Sequence, residues 1–186
     1  IGNIGFAYYQ QGDYPKALEN HFQALRINEE LKNKNGIATN LTNIGNIYNH
    51  QGDHPKALEC YFKALKINEE MKNNNGTAAI LSSIGNVYSD QGNYSKALEN
   101  HLNALKINEE LGNNKAIAAN LGNIGTIYGE QANYPKALEY FFMALKICEE
   151  LGNKKGIATN LGNIGEAYAK QMKYKIAEEY FLKALE

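Results

Sequence analysis

Five glycines stand 40 residues apart in this chain: Gly5, Gly45, Gly85, Gly125 and Gly165. The same step links Tyr8 to Tyr48, Tyr88, Tyr128 and Tyr168, and Gln11 to Gln51, Gln91, Gln131 and Gln171. It also links Ala17 to Ala57, Ala97, Ala137 and Ala177, and Ala24 to Ala64, Ala104, Ala144 and Ala184. A fixed step held through five copies is the signature of a repeat array, in which each unit buries its apolar face only against a neighbour of its own kind.

Residues 120–151 show what one copy is. Leu121, Ile124, Gly125 and Tyr128 lie at helical spacing, residues 131–134 interrupt it, and Ala137, Leu138, Phe141, Ala144, Leu145 and Ile147 resume it. The unit reads as helix, turn, helix. Asp13 is placed to cap the second helix of the first copy, and Pro15 falls in that helix's first turn, where its missing N–H costs nothing. Residues 32–36 read as the exit, with Asn and Gly supplying the left-handed conformation that ends helices. The copies fall at 1–35, 36–75, 76–115, 116–155 and 156–186, the first and last truncated. No linker or change of composition interrupts them, so one continuous array is expected.

Composition excludes more than it identifies. A net charge of −1 with Lys and Glu alternating along the helices argues against a nucleic-acid partner. No run reaches the length of a membrane span, and no signal-like amino terminus is present. Cys60 and Cys148 occupy different places in their repeats, which reads as packed thiols in a reducing, cytoplasmic setting. His21 and His101 take the place of Phe141 in their copies and read as packing residues. His50 and His54 flank a turn without a third ligand, a poor zinc site. No nucleophile–base set or phosphate loop occurs, so neither an enzyme nor a cofactor or metal is expected.

At this point the residues resemble a known family. Leu121-x2-Ile124-Gly125-x2-Tyr128, followed by Ala137-x3-Phe141, is similar to the tetratricopeptide repeat pattern W-x2-L-G-x2-Y, then A-x3-F. The resemblance covers essentially the whole chain. Three departures stand out: Leu or Ile replaces Trp, Glu149 replaces the terminal Pro, and the period exceeds the usual ~34 residues by about six. The surplus is expected on each second helix. The longer form resembles the repeats of kinesin light chains, LGN-type adaptors and bacterial signalling arrays. It implies an all-α, right-handed α-solenoid of antiparallel helix pairs, about five repeats long. It also implies a scaffold that binds an extended protein or peptide segment in a concave groove.

The resemblance further implies that first helices line that groove through residues two and five before the glycine and one and four after it. Two before stand Asn3, Asn43, Ser83, Asn123 and Asn163; beside them on the same helices lie Asn40, Asn120 and Asn160; one after come Asn46, Asn86, Thr126 and Glu166. An amide side chain donates and accepts at once, which suits the alternating N–H and C=O groups of an extended backbone. The competing reading is that these asparagines cap turns or bond between repeats. Specificity is expected where the series varies, at His50, Asp90, Glu130, Glu166 and Lys170, and its acidic members favour a somewhat basic segment.

Two rivals accompany the groove. Both ends of the chain stop inside a repeat, so Ile1 and Ile4, and Phe181, Leu182 and Leu185, are candidates for end-to-end homo-oligomeric stacking. The array also suits a sensory module within a larger signalling protein.

Overall fold

Helix boundaries here follow from punctuation at a 20-residue beat, half the repeat. The computed structural model describes residues 2–185, with side chains from Ile4 to Leu185. Among these residues the chain forms α1 (Gly2–Gln10), α2 (Tyr14–Glu30), α3 (Lys34–His50), α4 (His54–Glu70), α5 (Asn74–Asp90), α6 (Tyr94–Glu110), α7 (Asn114–Glu130), α8 (Tyr134–Glu150), α9 (Lys154–Lys170) and α10 (Tyr174–Leu185). These five helix pairs, with no strand among the described residues, make the all-α solenoid class expected from the sequence. From α2 to α9 every helix has 17 residues, so the surplus is shared by both helices of a repeat rather than added to the second.

Each connector has three residues with three jobs. The first closes the preceding helix: the Leu31 N–H donates to the carbonyl of Ile27. The second turns left-handed, at φ +75° in Gly52 and +65° in Gly112, but also at +52° in Lys32 and +57° in Ala132. The third is Asp or Asn in every connector from Asp13 to Asn153, with Lys173 in its place before α10, and the Asp or Asn side chain accepts the third backbone N–H of the next helix, as in Asp13 from Lys16 at 3.2 Å and Asn33 from Gly36 at 3.1 Å. The left-handed residue is thus Lys32, not the Asn or Gly of residues 33–36. Gly36 lies inside α3, where a Cβ would strike the Asn28 side chain; Gly76 does the same service for Asn68.

The recurrent glycine of each first helix sets how closely its partner approaches. A Cβ added at Gly45 would lie 2.7 Å from the Tyr61 ring, and one at Gly125 or Gly165 would lie 2.7 Å from Phe141 or Phe181. Ala57, Ala97 and Ala137, all at 0% exposure, continue the close contact along the second helices. Tyr128 stacks on Tyr140 of its own repeat at 5.5 Å. Lys136 sits 4.9 Å from the centre of the Tyr128 ring, as Lys16 and Lys56 sit 5.2 Å from Tyr8 and Tyr48. Lys16 and Lys56 pair with the cap carboxylates Asp13 and Asp53 at 2.7 Å rather than with Glu19 and Glu59, and they hold those carboxyls below the usual range.

The chain divides into two compact units, Ile1–Gln91 and Gly92–Glu186. In the first, each of α2 to α5 packs on its predecessor, and α3 also touches α1 and α5. Leu41, Tyr61, Ile80, Ile84 and Val87 form its core. In the second, α6 to α10 pack in the same order and α7 touches α9. Phe141, Leu161 and Ile164 fill one cluster, and Leu105, Leu121, Ile124 and Ala144 another. Within each unit the first helices approach one another, whereas no such contact joins α2 to α4 or α8 to α10 among the described residues. First helices therefore form the closer-packed side.

His21 and His101 are both buried, as packing residues should be. His21 shares a 3.2 Å hydrogen bond between its Nδ1 and the Asn40 Oδ1. Neither ring nitrogen of His101 has a partner, and burial pulls its pKa down to about 4. The unfolded chain takes up a proton near the ordinary value of ~6.5 while the folded chain resists, so stability present above that value declines as pH falls toward 4. His101→Phe, which copies Phe141, should raise stability at neutral pH by about 1–3 kcal/mol and flatten that acid-side decline. Chemical denaturation at several pH values measures both.

Candidate functional site

The candidate residues meet three different fates on the first helices. Asn40, Asn120 and Asn160 are buried, at 6%, 2% and 6% exposure. The Asn40 Nδ2 donates to the Gly36 carbonyl at 2.8 Å, and its Oδ1 faces the His21 ring. Asn120 donates to the backbone carbonyl of His101 at 3.4 Å and accepts from Asn108 at 3.3 Å. Asn160 donates to the Gly156 carbonyl at 2.8 Å and lies 3.7 Å from the Cys148 Sγ. An amide enclosed in this way offers nothing to a ligand. The expectation that this column lines a groove gives way to the competing one: it bonds the second helix of one repeat to the first helix of the next.

One helical step away, Asn43, Ser83, Asn123 and Asn163 are half-buried at the surface of the first helices. Ser83 donates back to the Ala79 carbonyl at 3.1 Å, and Asn46, also half-buried, accepts 2.7 Å from the Tyr61 hydroxyl. Asn86 is exposed. Asn3 lies in α1, but its side chain is outside the described residues, as is Ile1. His50, Asp90, Glu130 and Lys170 are the last residues of α3, α5, α7 and α9, all exposed, and Glu166 is exposed one turn before the end of α9. A carboxylate at a helix C-terminus opposes the helix dipole, so local stability does not call for Asp90 or Glu130.

In the second unit four of these candidates converge. A cavity of about 210 Å³ opens between α7 and α9, with Glu130 on one wall and Asn163, Glu166 and Lys170 on the other. Thr126, also expected on this face, and Gly129 continue the α7 wall; sequence reasoning did not assign Tyr134 and Phe141 on α8 or Ala167 on α9 to the site. Aromatic rings form the base and charged groups the rim. Gly129 is not demanded by the fold: its φ is not positive, and a Cβ there would meet nothing nearer than the Ala137 Cβ at 3.9 Å. Glycine in a helix costs about 0.5–1 kcal/mol relative to alanine, so its presence leaves room at a cost in stability.

In the first unit the same face is more filled. Asn43 borders one hollow of about 180 Å³ with Thr39, Thr42 and Ala79, and another of only about 30 Å³ with Phe6, Tyr9, His21 and Asn46. Tyr9 lies 6.1 Å from Tyr14 and meets His50 edge-on at 5.3 Å. On the opposite side, between α2 and α4, an opening of about 570 Å³ is lined by Phe22, Leu25, Ile67 and the half-buried Cys60. Phe22 belongs to an exposed apolar column with Phe62, Leu102, Phe142 and Leu182. Its 40-residue step was present in the sequence, but an apolar residue at that step reads as core until the neighbouring helices are placed. Burial pushes the Cys60 and Cys148 thiols up, so both stay protonated at neutral pH.

The two asparagine columns should separate by stability. Asn120→Ala, which removes the acceptor of the buried Asn108 amide, is expected to cost about 1–3 kcal/mol, whereas Asn163→Ala should stay within about 0.5 kcal/mol. Urea denaturation of the two variants checks the contrast.

The geometry can now be set beside known proteins. The tetratricopeptide repeat family model matches residues 1–70 and 76–150, and a second tetratricopeptide repeat model matches residues 158–186. No curated protein matches the chain. Among solved structures, BtubC from P. vanneervenii is similar at TM-score 0.86 and 21% identity, over 97% of this chain and 75% of that one. A Rap protein complexed with Competence and Sporulation Factor gives 0.84 and 21%, over 98% of this chain and 52% of its own. A putative kinesin light chain from Podosopora anserina gives 0.79 and 15%, over 98% and 90%. The chain spans about half the length of the Rap protein. No helix among the described residues is long and apolar enough to cross a membrane. With family models matching nearly its full length, the chain belongs to the tetratricopeptide repeat family.

Proposed function

We propose that this array is a protein-interaction scaffold whose first-helix face holds an extended segment of another protein. One observation carries the reading: Asn43, Asn123 and Asn163 recur at the surface of that face in the second, fourth and fifth repeats, and Asn43 and Asn163 border hollows that would take side chains. Amides in register meet a backbone with little regard to sequence, and the hollows select among side chains. The Rap protein solved with Competence and Sporulation Factor shows a similar fold in complex with a factor, and we carry that role to this chain as part of the proposal. Glu130 and Glu166 against the lone Lys170 favour a segment with some basic character. The five repeats act here as one array, binding rather than catalysing.

Peptides selected from a random display library on the immobilised chain provide the test. Changing Asn43, Asn123 and Asn163 together to Ala removes up to three backbone contacts, each worth about 0.5–1.5 kcal/mol, and should weaken selected peptides at least about tenfold. Unchanged affinity with an unchanged helical spectrum would count against the amide column.

A second reading, self-association, is favoured by α10, where Leu182 and Leu185 are 58% and 84% exposed and Phe181 is 42% exposed. A molar mass that rises with concentration, and that Leu182→Lys with Leu185→Lys returns to the monomer value, supports it. A mass constant over the whole range removes it.

A further inference from the structure

We propose that the cavity between α7 and α9 receives the aromatic ring of a partner's side chain, best a tyrosine, in the place that Tyr9 fills within the first unit. This rests on the first-helix face being the binding face. A shift of three repeats, 120 residues, carries Gly129 to Tyr9, Thr126 to Phe6, Tyr134 to Tyr14, Asn163 to Asn43 and Lys170 to His50. Tyr and Asn are kept at two of these places, the rings of Tyr9 and Phe6 are lost, and Ala167 and Phe141 stand where Ile47 and His21 line the smaller hollow. Where the chain supplies Tyr9 and Phe6, the hollow is about 30 Å³; where it has Gly129 and Thr126, the cavity is about 210 Å³.

The first unit thus shows what fits. The Tyr9 ring sits 6.1 Å from Tyr14 and 5.3 Å from His50, between the faces and edges of aromatic neighbours. In the second unit Tyr134 keeps the place of Tyr14, and Phe141 lines the base. Lys170 stands where His50 meets the ring, and an ammonium there can lie over an aromatic face. An aliphatic side chain would fill the volume but gain neither contact. The rim carboxylates of Glu130 and Glu166 and the amide of Asn163 can accept a phenolic hydroxyl. Nothing in the backbone or the packing asks for glycine at 129, and no other repeat has it there: the equivalents are Tyr9, Asn49, Ser89 and Ala169. The glycine keeps the space open.

The experiment titrates the ¹⁵N-labelled chain with N-acetyl-L-tyrosinamide and, separately, with N-acetyl-L-leucinamide, following the backbone amides of Gly129, Glu166 and Ala167 by NMR. The tyrosine analogue should give saturable shifts at these amides in the millimolar range, at least about fivefold tighter than the leucine analogue. Gly129→Tyr, which has room for its Cβ, should abolish them while keeping the helical spectrum. Tyr9→Gly should create a second responsive set at Asn46 and Ile47. Absent or unsaturable shifts in the parent chain, equal response to the two analogues, or full response in Gly129→Tyr would each overturn the proposal. No peptide is needed, so the outcome is independent of the library selection. Phenol binding without selected peptides sinks the scaffold reading alone, and selected peptides without phenol binding sink the pocket alone.

Discussion

A ring seated on a missing Cβ holds each helix pair together. Gly45 under Tyr61, Gly125 under Phe141 and Gly165 under Phe181 let the two helices meet at a distance that alanine would already crowd. Burying such a ring is worth about 1.5–3 kcal/mol, and overfilling the contact costs about 1–3, so the glycine is as necessary as the ring. The same geometry explains why the two histidine copies behave differently. At that depth an imidazole needs a partner; His21 has Asn40, and His101 has none. The shared position is a packing position first, and polarity there is tolerated rather than used.

Regular pairs become regular surfaces because the connectors keep time. Each is three residues long, and those leading into α2 to α9 end in a capping Asp or Asn, so these helices have the same length and present the same positions to the same side. Successive first helices touch within each unit, whereas α2 and α4 stand apart over the opening lined by Phe22 and Ile67. A column of side chains on the first helices therefore points one way within each unit. Strict periodicity builds the surface, and departures from it, such as Gly129 beside Glu130, give it local character.

Within one column type the same residue serves two ends. Asn40, Asn120 and Asn160 are buried, and their amides meet His21, Asn108 and Cys148 of the preceding second helix. Asn43, Asn123 and Asn163, three positions on, reach the surface. Nothing in the chemistry of asparagine distinguishes them. Three residues along a helix turn the side chain by most of a full circle, enough to move it from beneath a neighbouring helix to its margin.

The sequence alone determined the repeat, the all-α class, the close-packed glycines and alanines, and caps such as Asp13, because each follows from spacing and local stereochemistry. It also brought Glu130, Asn163, Glu166 and Lys170 into view, although not the cavity they share. Tertiary structure decided what depends on a second helix. It put the left-handed turn on Lys32, the middle residue of its connector, and placed Gly36 inside α3 against Asn28. It buried one asparagine column and left the Phe22 column exposed. Periodicity fixes which residues share a face, and only the neighbouring helices fix whether that face meets protein or water.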